Sequence, residues 1–251
     1  MRMLLAVALT MLALVPVTSA QSLSPADHDR ARVQNRLGWE QMRGEKFEQA
    51  LKHFQAAIEI NPEFEMPFYG LGRAHMALKQ YVSAISALSR CRDLYVAQVG
   101  RQFSTQQDAQ RYRADRITEL DEMIRQVQSG PQTIQTQDQL RQLQEQKRQL
   151  QDIIARGANM SVTTAVPAWV SLSLGSAYFR SGRLADAERE YKATIEADRK
   201  SGEAYSNLAV VYLETGRIAE AEAALKDAKK SGFKVNPQLE QAIKDKKATR
   251  H

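Results

Sequence analysis

An all-α fold of stacked antiparallel helix pairs is what this sequence predicts, and three observations predict it. One pattern is written twice, 34 residues apart: Leu174, Gly175, Tyr178, Gly182, Leu184, Ala187 and Tyr191 recur as Leu208, Ala209, Tyr212, Gly216, Ile218, Ala221 and Leu225. Arg183, Ala185 and Glu188 recur unchanged as Arg217, Ala219 and Glu222, so shared composition does not explain the match. Composition agrees: with 12 glycines and 7 prolines in 251 residues, 43% apolar and only 7% aromatic, long helices fit better than a turn-rich sheet. Finally, the apolar residues between 117 and 154 keep a 3-4-3 helical spacing. A fixed period of this length is that of a helix–turn–helix unit, which buries its apolar face by stacking on its own copy.

In chain order, residues 1–20 read as an export signal. Arg2 supplies the positive start, Met3 to Val15 a short apolar run, and Thr18-Ser19-Ala20 the small residues for cleavage after Ala20. The run is too short for a comfortable membrane span. No cysteine stands near the cleavage site, so no lipoprotein anchor is expected. The mature chain is expected to be periplasmic or secreted, touching a membrane only through a partner. Its single cysteine, Cys91, cannot staple the fold.

Ser24-Pro25-Ala26-Asp27 predicts a helix start, and Gly44 a break after Arg43. Leu37-Gly38 with Phe47, Ala50, Phe54 and Ala57 forms one unit over 31–64. Leu71-Gly72 with Tyr81, Ala84, Leu88 and Cys91 forms a second over 65–98. Together with the N-terminal segment they make up 21–98. Units three and four occupy 168–201 and 202–235. In each unit the Gly or Ala after the Leu lets two helices approach closely, and Gly182 and Gly216 serve the turn. Cys91 falls on a small buried position and reads as a core thiol; His75 reads as a packed histidine.

Residues 99–167 do not register as further units. Ile117, Leu120, Ile124 and Val127 face Leu140, Leu143, Lys147, Leu150 and Ile154 across Ser129-Gly130-Pro131, which predicts an antiparallel coiled-coil hairpin. Lys147 weakens that seam, so the hairpin needs a support. As an insertion it is expected to carry little of the main core. A loop over 157–166 leads to Pro167. Over 236–251, Asn236-Pro237 opens a helix that caps the last unit, followed by a basic tail.

The repeated Leu-Gly, Tyr, Ala and bulky positions resemble the tetratricopeptide repeat family, in its exported bacterial form. The resemblance covers 31–98 and 168–235 and implies a helical solenoid of four repeats in two pairs. It also implies a scaffold that binds a protein or peptide on its concave face. Projecting the family's inward positions onto this chain gives Asn35, Trp39, Met42, Tyr69, Arg73, Met76, Trp169, Leu172, Phe179 and Arg180. Aromatics, methionine and arginine are what binding hot spots favour. The family's Lys/Asn clamp for chaperone C-termini is not matched, since Trp39 stands where it needs Asn.

Catalysis finds no footing. The sequence has no Ser/His/Asp set at motif spacing, no glycine-rich phosphate loop and no His/Cys cluster, so no enzyme, cofactor, metal or small-molecule substrate is expected. The formal charge of +6 is spread along the chain and does not point to nucleic acid. Two readings follow. The chain is an exported adaptor gripping a protein or peptide, or an envelope spacer that forms a homo-oligomer through the hairpin at 105–156.

Overall fold

The computed structural model describes residues 23–100, 102–103, 105–130, 134–157 and 166–249. The expected leader over 1–20, the charged end of the tail and nearly all of the 157–166 loop lie outside them. The described residues form eleven helices: α1 (Pro25–Arg43), α2 (Phe47–Ile60), α3 (Glu65–Ala77), α4 (Tyr81–Gln98), α5 (Gln106–Ser129), α6 (Ile134–Ala155), α7 (Ala168–Arg180), α8 (Leu184–Ala197), α9 (Gly202–Glu214), α10 (Ile218–Lys230) and α11 (Pro237–Ala248). None is long and apolar enough to cross a membrane.

The four expected units are the antiparallel pairs α1/α2, α3/α4, α7/α8 and α9/α10, each tightly packed within itself. The Leu-Gly positions are closest approaches. A Cβ on Gly38 would stand 2.5 Å from the Phe54 ring, one on Gly72 2.5 Å from Leu88, and one on Gly175 2.7 Å from Tyr191. Ala50, Ala84, Ala187 and Ala221 repeat the approach from the second helix and are wholly buried. Cys91 is buried too, and burial pushes its thiol pKa well up, which leaves it unreactive.

The break expected after Arg43 is present, but the expectation that a Cβ would clash at the turn glycines Gly182 and Gly216 is corrected at Gly182. Gly44 ends α1, but its φ of −83° is ordinary. The left-handed residue is the next one, Glu45, and Lys79, Gly182 and Gly216 occupy the same register with φ of 54°, 58°, 80° and 72° in chain order. A Cβ on Gly182 would meet nothing, so glycine serves there for its backbone angle and not for space.

Although the hairpin separates them in sequence, the two repeat pairs stack directly, α4 on α7. Trp169 closes the joint, with ring centroids 4.4 Å from Tyr69 and 5.9 Å from Tyr95, both edge-on. Tyr69 Oη shares a hydrogen bond with Ser173 Oγ at 3.3 Å. Arg92 donates to the buried carboxylate of Glu190 at 2.8 Å; burial raises the Glu190 pKa and the arginine holds it down.

The hairpin folds back onto the repeats. Its two helices pack on each other, and Lys147 finds its support in Asp121 of the facing helix, 2.6 Å away. Leu120, Met123, Leu143 and Leu150 are buried in the same apolar cluster as the repeats. This overturns the expectation that the insertion carries little of the core. α5 runs alongside α1 in the same direction: Arg32 pairs with Asp115 near one end, and Arg43 shares a cleft with Ser129 at the other. Arg116, buried, pairs with Glu119 and lies 3.7 Å from buried Glu65 and 4.4 Å above the Tyr95 ring. At the far end α11 caps α10 with Ile243 buried, and Lys247 pairs with Glu222 at 2.9 Å.

Two outcomes are expected. Non-glycine residues in the left-handed region cost about 1 kcal/mol, so Glu45→Gly and Lys79→Gly should each raise stability by up to about that amount in a urea melt, while Gly182→Ala should lower it similarly. Glu119 is pushed by burial to a pKa of about 7, with Arg116 opposing the shift. The folded state therefore holds this proton more tightly than the unfolded one. Its contribution is full below pH 4.5 and is lost as pH rises through 7, at up to about 1.4 kcal/mol per pH unit. Glu119→Gln should flatten that part of the stability profile.

Candidate peptide groove

The family's inward positions divide in the structure into a covered set and an open set. Asn35, Trp39 and Tyr69 are buried, with 6%, 5% and 3% of their surfaces exposed. Trp39 packs edge-on against Phe54 at 5.2 Å and lies 6.0 Å from Tyr69. Asn35 and Trp39 therefore do not offer an open surface, which corrects the projection at those two positions. Trp39, Tyr69 and Trp169 instead form an aromatic row linking α1, α3 and α7, with Met42 half-buried beside it.

Tyr69, Arg73, Met76, Trp169 and Leu172 line one cavity of about 360 Å³. Its walls also include Ser173 and Ser176 of α7, Lys200 and Glu203 around the start of α9, Phe233, and Thr136 and Gln139 of α6. Phe179 and Arg180, one turn further along α7, do not line it; Phe179 is half-buried and Arg180 exposed.

The floor is aromatic and the walls are largely polar. Arg73 Nη1 donates to Tyr69 Oη at 3.0 Å, and its other N–H groups have no acceptor among the described residues. The guanidinium stays accessible, with its carbon 5.8 Å from the Tyr69 ring. Ser176 Oγ accepts from Tyr191 Oη at 3.4 Å and donates to the Leu172 carbonyl at 3.0 Å. Burial raises the Glu203 pKa, while Arg73 acts in the opposite direction. An aromatic floor beside two cations, Arg73 with spare donors and Lys200, can hold an apolar side chain and an anion close together. No general base stands beside a nucleophile here. Among the described residues no three His, Cys, Asp or Glu side chains are grouped to hold a metal ion.

Projection from the family missed Glu203, although the 34-residue shift that relates the last two repeats carries Trp169 onto it. Thr136 and Gln139 carried no such signal, because their place depends on how the hairpin docks.

The chain is thus a stack of helical repeats in which Asn35 and Trp39 are buried while a cavity beside Arg73 and Trp169 stays open. Tetratricopeptide repeat models match residues 31–64 and 172–232, and those segments are tetratricopeptide repeats. Proteins built on these repeats generally bind proteins or peptides. Superkiller protein 3 of Schizosaccharomyces pombe is 32% identical over 83 residues, a match spanning 31% of this chain but only 6% of that protein. A thermophilic TPR protein of Thermus thermophilus is 19% identical, with 86% of this chain and 98% of that one covered at a TM-score of 0.35. The type IV pilus biogenesis factor PilW is 15% identical, with 87% and 91% covered at a TM-score of 0.38.

Because Trp39 is core and Arg180 lies outside the cavity, Trp39→Ala should cost about 3–5 kcal/mol in a thermal or urea melt. Arg180→Ala should stay within about 0.5 kcal/mol of the parent.

Proposed function

We propose that the chain is an exported, non-enzymatic adaptor that holds a segment of a partner protein in the groove between α3, α7, the start of α9 and the start of α6. One observation carries the reading. Five of the projected positions, from repeats two and three, meet around a single open cavity whose floor is the aromatic joint of the molecule. Building the site on the α4–α7 joint makes it rigid, and rigidity lowers the ordering cost of binding. Arg73 favours an acidic group on the partner, and Leu172, Met76 and Trp169 favour an apolar neighbour to it. Export is supported by the pattern of residues 1–20. No observation favours the spacer reading: the apolar hairpin residues Leu120, Met123, Leu143 and Leu150 are used inside the chain.

The test is photo-crosslinking from position 172 in the mature chain, followed by capture of the crosslinked partner with Arg73→Glu and Arg180→Glu variants. Arg73→Glu should weaken capture by about 2 kcal/mol, roughly thirty-fold, with an unchanged melt, and Arg180→Glu should leave it intact. Equal capture by both variants would refute the groove. A reporter enzyme fused after residue 30 should be exported; its retention in the cytoplasm would refute the localisation.

A further inference from the structure

Among the described residues four large apolar side chains are exposed, and three of them belong to α4 and its C-terminal cap. Val82 is 80% exposed, Val96 54% and Val99 51%. The helix is also long for its place: α4 has 18 residues where α2, α8 and α10 have 14, 14 and 13, and the added turn carries Val96. Val82, Ser86, Ser89, Asp93 and Val96 share one stripe of the helix, about 21 Å long at 1.5 Å per residue. The other repeats give this stripe more charge. In the repeat register Ser86 and Ser89 stand where α2 carries Lys52 and Gln55 and where α8 carries Arg189 and Lys192. Single surface valines need no explanation, but a group on one helix that its sister helices do not repeat marks a contact surface.

The order of groups along the stripe says what fits it. In chain direction it runs from Val82 and half-buried Ile85, through Ser86 and Ser89, to a cation at Arg90, an anion at Asp93, and then Val96 and Val99. Reversed, the same order sets apolar residues against apolar residues and cation against anion. Val82 and Ile85 of one copy meet Val99 and Val96 of the other, and Arg90 meets Asp93 twice about a twofold axis. A surface that complements itself in this way is what an isologous contact requires. Both charges are open to it. Arg90 lies 5.9 Å from the Phe68 ring and has no carboxylate partner among the described residues. Asp93 is 57% exposed and touches the neighbouring Arg92, whose Nη1 is already engaged by Glu190.

We propose that the outer face of α4 is a homodimer interface, with two copies of the chain packed α4 against α4 in antiparallel orientation. The serines at its centre let the helices approach to about 8–10 Å, and the two Arg90–Asp93 pairs set the register. No residue of α4 lines the cavity beside Arg73, so the proposal holds whether or not that groove takes a partner.

Sedimentation equilibrium of the mature chain between about 1 and 300 µM should show monomer and dimer in exchange. Val82→Glu alters a side chain that is 80% exposed, so it should leave the thermal melt unchanged and weaken the dimer about ten-fold or more. Arg90→Glu and Asp93→Arg should each do the same, because each sets like charges against one another. Mixed in equal amounts, those two variants recover two opposite-charge pairs and should associate as tightly as the parent. Should Asp93→Arg disturb the fold, as a circular dichroism melt would show, Val82→Glu and Arg90→Glu decide the matter. A parent that stays monomeric, or folded variants that dimerise like the parent, would overturn the proposal. So would a mixture of folded variants no tighter than its components.

Discussion

Trp169 is the residue against which the two halves of the molecule meet. Its ring edge lies against Tyr69 and Tyr95, and the Tyr69–Ser173 hydrogen bond beside it joins residues 104 apart in sequence. Aromatic pairs of this kind contribute about 0.5–1.5 kcal/mol each beyond the area they bury. Their larger consequence is topological. With α4 seated on α7, four repeats form one stack, and whatever lies between them in the chain must leave the stack and return to it.

Where the insertion returns decides what the concave face can do. Over the first repeat pair it anchors itself with Arg116 beside Glu65 and with Asp115 at Arg32. Over the next repeats it supplies only Thr136 and Gln139 at the edge of a cavity, and Arg73, Leu172 and Trp169 stay within reach of a ligand. One family pattern thus yields two surfaces of opposite character. The buried charges belong to the same arrangement: two carboxylates, Glu65 and Glu119, share the arginine that ties hairpin to repeats. Burial, with Glu65 as a second acid beside the same cation, pushes the Glu119 pKa up to about 7.

Much of the fold was legible because its contacts repeat. A residue that must approach a neighbouring helix closely leaves the same mark in every unit, and Gly38, Gly72 and Gly175 each meet the bulky residue that the register assigns. The left-handed turn was legible only where glycine marks it, since Glu45 and Lys79 adopt the same angle at a tolerable cost. The hairpin was legible as two helices but its seat was not. Arg116 meeting Glu65 and Asp115 meeting Arg32 are single, non-periodic pairings between distant segments. For the same reason Trp39 read as a surface anchor: its repeat position is inward, and only the neighbouring elements show that inward here means covered. In the open groove the positions in repeats two and three were legible, while the α6 wall depended on the unreadable docking.

The central claim is that the Trp169 joint makes the four repeats and the hairpin one cooperative body. Urea unfolding of the mature chain, followed at once by tryptophan fluorescence and far-ultraviolet circular dichroism, tests it most directly. Both tryptophans lie in the aromatic row at the joint, whereas the dichroism reports every helix. The account predicts one transition with the same midpoint and slope by both probes. A fluorescence transition that precedes the loss of helix, or a dichroism curve with two steps, would show that the repeat pairs fold separately and would contradict it.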